Sequence, residues 1–203
     1  MAVERQHVKE QDKNVRRHNF EPVESNLTEE QVKLEASRCL HCKNPRCVAG
    51  CPVNIQIPEF IQAIKEGNLN KAGEIIRQTS MLPSVCGRVC PQERQCEGNC
   101  VLGIKGESVA IGALERYVGD NTKAEMPEIK PSGKKVAVVG SGCAGMTAAC
   151  DLRKEGHDVE VFEALHELGG VLRYGIPPFR LPRVVLDREI ENLKAMGVKF
   201  HTN

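Results

Sequence analysis

The pattern of hydrophobic and polar positions changes near residue 134 of this 203-residue chain. Before that point, apolar residues recur at helical spacing, and no convincing strand precedes residue 135. Thr28 and Gln31 form a capping-box signature that predicts a helix start, with Val32, Leu34 and Leu40 among its apolar positions. Further helices are predicted over residues 58–65, 70–78 and 109–118. The first part of the chain is therefore expected to be all-α.

The remainder alternates between strand-like and helix-like stretches. Strands are predicted over residues 135–139, 158–162 and 198–201, and helices over residues 143–155 and 184–196. This order is typical of an α/β unit. The predicted organisation is a mobile or loosely docked extension (1–24), an α-helical domain (25–119), a polar linker with two prolines (120–134) and an α/β unit (135–203).

Composition limits the classes of function. The formal net charge is +1, which gives no reason to expect a nucleic-acid partner. The first twenty residues lack the apolar core of a secretory signal, and no run of about 18 apolar residues predicts a membrane span, so a cytoplasmic location is expected. Aromatic residues are scarce, with no Trp, two Tyr and five Phe. A core so poor in large side chains usually needs a metal or disulfide.

Ten cysteines supply candidates for that role. Eight of them form two runs, Cys39-x2-Cys42-x4-Cys47-x3-Cys51-Pro and Cys86-x3-Cys90-Pro-x4-Cys96-x3-Cys100. In a reducing compartment, clustered cysteines indicate metal or redox chemistry rather than disulfides. Structural zinc is the main competing interpretation, but only one Cys-x2-Cys occurs and Cys-Pro occurs twice, which favours iron–sulfur clusters.

The ligands can be divided by the logic of bacterial ferredoxins, in which the last cysteine of a run ligates the other cluster. One 4Fe–4S cluster would then take Cys39, Cys42, Cys47 and Cys100. The second would take Cys51, Cys90 and Cys96. Cys86 is its nominal fourth ligand, unless Cys86 is a buried thiol and another residue ligates. The two remaining cysteines, Cys143 and Cys150, are interpreted as small packing residues.

A glycine-rich loop follows the first predicted strand. Its sequence is Gly140-Ser-Gly142-Cys-Ala144-Gly145, and Glu163 ends the next strand. With a strand before and a helix after it, this pattern predicts a dinucleotide site in which backbone N–H groups bind a pyrophosphate. Glu163 would accept hydrogen bonds from a ribose with a free 2′-hydroxyl, which suits FAD or NAD better than NADP.

These motifs carry a resemblance that runs from about residue 25 to the last residue. The matching segments are 39–51, 87–91, Cys96, Cys100, 111–115, 136–163 and 168–182. They resemble the N-terminal part of the NADPH-dependent glutamate synthase small-subunit family. The same module occurs in dihydropyrimidine dehydrogenase and in the large subunit of the bifurcating NADH-dependent ferredoxin–NADP oxidoreductase.

The resemblance implies an α-helical ferredoxin-like domain with two 4Fe–4S clusters, followed by a partial Rossmann-type FAD-binding unit. It adds Gly169, Gly170 and Arg180 to the flavin site. It also implies that Glu115, rather than Cys86, completes the second cluster.

The implied function is to relay electrons from NADPH through FAD and the clusters to a partner subunit. That partner would be the glutamate synthase large subunit or, in the bifurcating alternative, a ferredoxin-type protein. Family members continue past this point into an NADPH site and the rest of the flavin domain, so the chain is expected to be a fragment that is catalytically incomplete by itself. A non-enzymatic electron carrier or assembly module is the alternative from another class.

Overall fold

A computed structural model describes residues 3–123 and 128–203, which fall into two compact units. The helices of the first unit are α1 (Lys13–Arg16), α2 (Glu29–Ser37), α3 (Arg46–Ala49), α4 (Ile57–Lys65), α5 (Leu69–Arg77), α6 (Pro83–Val89) and α7 (Ile111–Asn121). The second unit contains β1 (Lys135–Val139), α8 (Cys143–Lys154), β2 (Asp158–Glu163), α9 (Val171–Tyr174), α10 (Arg183–Ala195) and β3 (Lys199–Thr202). Among the described residues, no helix is long and apolar enough to cross a membrane.

The longer helices of the first unit confirm the predictions from periodicity, with one exception. The capping box that opens α2 is present, since Thr28 accepts from the Gln31 N–H and Gln31 accepts from the Thr28 N–H. The buried faces of α4, α5 and α7 meet in one apolar core around Phe60, Ile76 and Leu114. Helix α6 was not predicted, because its seven residues include a proline, a glycine and a cysteine and are too few to show helical periodicity.

The α6 and α7 helices cross at very short range. A Cβ atom at Gly87 in α6 would lie 2.6 Å from the Cα of Arg116 in α7, and one at Gly119 would lie 2.7 Å from the backbone nitrogen of Ser84. Only glycine permits such an approach, which brings Cys86 in α6 and Cys90 at its end close to one face of α7.

Residues 3–19 are not loosely docked, contrary to the prediction for the extension of residues 1–24. The backbone N–H of Gln6 donates to the buried carboxylate of Glu35 at 2.6 Å. Gln11 N–H donates to the carbonyl of Val23 at 2.8 Å, which closes the segment on itself around α1. Buried carboxylates need such donors, so this segment is part of the folded unit.

The second unit has the predicted α/β order. Its three strands are parallel in the order β1-β2-β3, with Val138 beside Val161 and Val161 beside Phe200. The valines of β2 are buried together with Met146 in α8 and Leu193 in α10, as the βαβ pattern requires.

The predicted linker of residues 120–134 is partly incorporated into both units. Helix α7 continues to Asn121. Ser132 N–H donates to the carbonyl of Gly156, and Asp158 N–H donates to that of Lys134. Residues 124–127 lie outside the described part of the chain.

Candidate functional site

Four of the predicted ligands line one cavity in the first unit. Helix α2 ends just before Cys39, α3 carries Cys47, and Cys100 precedes a short 3₁₀ turn over Val101–Ile104. The cysteines at the cavity wall are Cys39, Cys42, Cys47 and Cys100. The structure thus brings the first three cysteines of the first run together with the last cysteine of the second run.

Apolar side chains surround these four thiols. Ile57, Ile61, Val109 and Ile111 are buried residues that line the same cavity. Burial raises the pKa of the Cys47 thiol to about 11, and the nearby Cys100 and Cys39 add to the rise. Burial likewise raises the pKa of Cys39. Such thiols lose their protons only when a cation compensates their charge, as a bound metal group does.

A second group forms where α6 and α7 cross. Cys86 lies within α6, Cys90 ends that helix, and Cys96 follows the 3₁₀ turn over Gln92–Arg94. For each of these thiols burial is the main cause of a raised pKa. The charges of Cys51 and of Glu115 in α7 raise all three pKa values further, so the five side chains occupy one neighbourhood.

Glu115 is the most unusual member of this group. Its side chain is 5% exposed, and its Oε1 atom is buried without a hydrogen-bond partner. Burial raises its pKa to about 8. A buried carboxyl oxygen with no donor is costly, and a proton or a cation removes that cost. Cys86 in the same group has the hydroxyl of Ser80 at 4.0 Å from its sulfur.

Neither group converges on a point. Within the described ranges, no three His, Cys, Asp or Glu side chains lie close enough to hold a single metal ion. A Zn²⁺ ion requires sulfur atoms about 2.3 Å from one centre. A 4Fe–4S cluster places its own iron and sulfide atoms between the protein ligands, so its cysteines surround a larger volume. The cysteines of the first group are spread around a cavity. The second group has a buried carboxylate without a hydrogen-bond donor beside its cysteines. Both arrangements fit a 4Fe–4S cluster.

The glycine-rich loop connects β1 to α8 in the second unit. Gly140 adopts φ +94°, and a Cβ atom at Gly145 would lie 1.9 Å from the carbonyl oxygen of Gly140. A Cβ at Gly142 would meet nothing within 4 Å. The loop therefore needs glycine for its turn and for helix packing, while Gly142 and the exposed Ala144 leave room above the start of α8.

Hydrogen bonds join the other predicted residues to this loop. Glu163 at the end of β2 accepts from the Ser141 N–H at 2.9 Å and from the Ser141 hydroxyl at 2.5 Å. These bonds, with that from Leu165 N–H, hold the pKa of Glu163 below its ordinary value. The Ser141 hydroxyl in turn accepts from Gly169 N–H at 3.0 Å.

Ser141 is a residue that the sequence analysis missed, although its place inside the glycine loop was a signal. Gly170 follows Gly169, and a Cβ on Gly170 would lie 3.0 Å from the Cα of Gly142. Arg180 is exposed and lies three residues before α10.

The two outlying cysteines differ from each other. Cys150 is buried, with its sulfur 3.8 Å from that of Met196, so its interpretation as a packing residue is correct. Cys143 is exposed at the first position of α8, so the same interpretation is wrong for it. Residues seven apart lie on nearly the same face of a helix, so the exposure of Cys143 follows from its place at the start of α8 and not from the face it occupies.

Comparison with known families matches both units. Residues 16–127 match the family model described as dihydropyrimidine dehydrogenase domain II, 4Fe-4S cluster. Residues 138–198 match an NAD(P)-binding Rossmann-like domain. These matches confirm an iron–sulfur domain followed by a Rossmann-like unit.

Curated relatives extend the same comparison. The small chain of NADPH glutamate synthase from Escherichia coli K12 is 41% identical over 93% of this chain and 41% of its own length. That of Azospirillum brasilense is 38% identical over 93% of this chain and 40% of its own. The PreT subunit of an NAD-dependent dihydropyrimidine dehydrogenase from Escherichia coli K12 is 40% identical over 83% of this chain and 42% of its own length. The chain thus spans about two fifths of the length of these three relatives.

Proposed function

The chain belongs to the 4Fe-4S cluster family of dihydropyrimidine dehydrogenase domain II, and we propose that it is the electron-transfer part of an NADPH-dependent flavin and iron–sulfur oxidoreductase. The type of enzyme that its relatives favour is glutamate synthase, with this chain at the N-terminal end of the small subunit. The grouping of eight cysteines into two sets at separate places in one helical unit is the observation that carries the proposal.

The first set would hold one 4Fe–4S cluster through four thiolates. Its ligands would be Cys39, Cys42, Cys47 and Cys100, which line one cavity. The wall of that cavity is mainly apolar, and the surroundings and solvent exposure of a cluster are determinants of its reduction potential.

The second set would hold another 4Fe–4S cluster through Cys51, Cys90, Cys96 and Glu115. Glu115 is preferred to Cys86 because its buried Oε1 lacks any hydrogen-bond donor, whereas a buried thiol is stable without a ligand. Bound clusters supply one-electron transfer, and the protein sets their potentials through ligands and local charge.

FAD is the proposed ligand of the second unit. Gly140, Gly142, Ala144 and Gly145 would receive its pyrophosphate at the start of α8, and Glu163 its ribose. The turn at Gly169 and Gly170 borders the loop, and Arg180 is proposed as a further contact. NADPH would bind to parts of the enzyme that are represented in the longer relatives.

The proposed partner is a second subunit that receives the electrons. For the glutamate synthase type this is the large subunit, and for the bifurcating type a ferredoxin-like protein. A second candidate function is the corresponding subunit of an NAD-dependent dihydropyrimidine dehydrogenase, because the identity to that relative is 40%. Reduction of the clusters by NADPH or by NADH in the full-length enzyme would distinguish the two.

The experiment that tests the proposal is metal and flavin analysis after anaerobic purification. About eight irons per chain and two distinct EPR signals on reduction are expected, since each cluster contains four irons. Stoichiometric zinc with no iron would contradict electron transfer and leave a structural metal domain.

A further inference from the structure

Glu97 is a buried carboxylate beside the second group of cysteines that no ligand assignment uses. It directly follows Cys96, and both residues are buried, with 9% and 6% exposure. Its two oxygen atoms have different partners. Oε1 accepts from the backbone N–H of Gly112 at 2.9 Å, and Oε2 accepts from Nη2 of Arg5 at 2.7 Å.

The bond to Gly112 supplies a cap that α7 lacks. Ala110 stands at the N-cap position of α7 and has no side chain that can accept from the first-turn N–H groups. Glu97 fills that role from a distant part of the chain, and a negative charge at a helix N-terminus is favourable. The start of α7 is thereby fixed one turn before Glu115. Glu97 is thus linked to the second group through Cys96 and through α7.

Arg5 gives the charge compensation for Glu97. Its Nη1 donates to both the carbonyl oxygen and the hydroxyl of Ser108, each at 2.8 Å. The adjacent Gln6 N–H is bound by the buried Glu35. The guanidinium is therefore held in place and is 21% exposed at its side chain, which leaves little water to screen the pair.

We infer that the Arg5–Glu97 ion pair positions α7 and sets the local charge, and so the reduction potential, of the second cluster. The inference rests on the proposed cluster site at Cys51, Cys90, Cys96 and Glu115. Reduction adds a negative charge to a cluster, so an uncompensated carboxylate nearby disfavours it and a nearby cation favours it. Arg5 lies 92 residues from Glu97 in sequence, which makes the N-terminal segment a tuning element of the redox site.

Redox titration of the complete chain, followed by the EPR signal of each cluster, tests this inference. Arg5→Ala should move the midpoint potential of the second cluster to more negative values. Glu97→Gln should move it to more positive values, because the amide keeps an acceptor for Gly112 and loses the charge. Arg5→Lys should restore most of the unmodified value. Arg16→Ala is the matched control, since Arg16 pairs with Glu10 on the same segment in an exposed position.

The potential of the first cluster is measured in every variant for comparison. A smaller shift is expected there, although Cys100 N–H donates to the Glu97 carbonyl at 3.0 Å. If Arg5→Ala loses four irons and keeps the first cluster, the ion pair positions the second site. The potential of the second cluster in Glu97→Gln then tests the effect of charge, and a more positive value is expected. Unchanged second-cluster potentials in both variants, equal shifts of both clusters, or loss of both clusters together would overturn the inference. Failure of the proposed function would look different, because the unmodified chain would then lack two iron–sulfur signals.

Discussion

The backbone of Gly87 in α6 lies directly against that of Arg116 in α7, and a Cβ atom at position 87 would be 2.6 Å from the Arg116 nitrogen, Cα and Cβ. This contact brings Cys86 and Cys90 from one helix next to Glu115 from the other. The composition of the second group therefore depends on a glycine that is not itself a ligand.

Gly87→Ala should separate the two helices and lower the free energy of unfolding by about 1–3 kcal/mol, the usual cost of overpacking. About four of the eight expected irons should be lost, while the group around Cys39 keeps its cluster. Denaturant titration and iron analysis measure both effects. Gly106→Ala is the control, because a Cβ there meets only the Leu102 carbonyl oxygen at 3.9 Å. Equal iron in the two variants would refute the packing argument.

Substitution of Glu115 and Cys86 tests which residue is the fourth ligand. Glu115→Ala should lose the second cluster or shift its potential, because its orphaned carboxylate is the proposed ligand. Cys86→Ala should retain both clusters with at most a small loss of stability. EPR and iron content distinguish the variants. The opposite pattern, with Cys86 essential and Glu115 dispensable, would reassign the ligand.

Ser141→Ala should raise the pKa of Glu163 towards its ordinary value of about 4.5, because the hydrogen bond from the Ser141 hydroxyl is the largest cause of the lowered pKa and alanine keeps only the backbone N–H. A carboxyl group with a lowered pKa adds stability above its unfolded-state pKa and loses it as pH falls through the folded value. The variant should therefore lose less stability than the unmodified chain on acidification below about pH 4.5. Carboxyl-carbon NMR titration measures the pKa, and a Glu163 pKa that stays low in the variant would contradict this account.

Gly142 and Gly145 offer a matched pair of substitutions in one loop. Gly145→Ala should unfold the β1–α8 turn, because its Cβ would lie 1.9 Å from the Gly140 carbonyl oxygen. Gly142→Ala should leave the fold unchanged, since its Cβ would enter open space, but should weaken FAD binding if that space receives the pyrophosphate. Thermal unfolding and flavin titration in the full-length enzyme separate the two effects. Unaltered flavin affinity in Gly142→Ala would remove the loop from the proposed site.

Local patterns in the sequence were enough to predict most elements. The Thr28 capping box, the amphipathic stretches of α4 and α5 and the β1–loop–α8 motif each act within a few residues, so their structural consequences can be read from sequence alone. Helix α6 was not predicted, because seven residues are too few to show a helical period.

A spacing rule also gave a partition of the cysteines between two clusters, which stays a prediction. The structure shows that Cys39, Cys42, Cys47 and Cys100 line one cavity. Contacts between residues far apart in sequence were decided only by the tertiary structure. The Arg5–Glu97 ion pair and the approach of α6 to α7 leave no periodic or spacing signal. Their partners are chosen by packing and by the need of buried polar groups for donors and acceptors, and both act through space rather than along the chain.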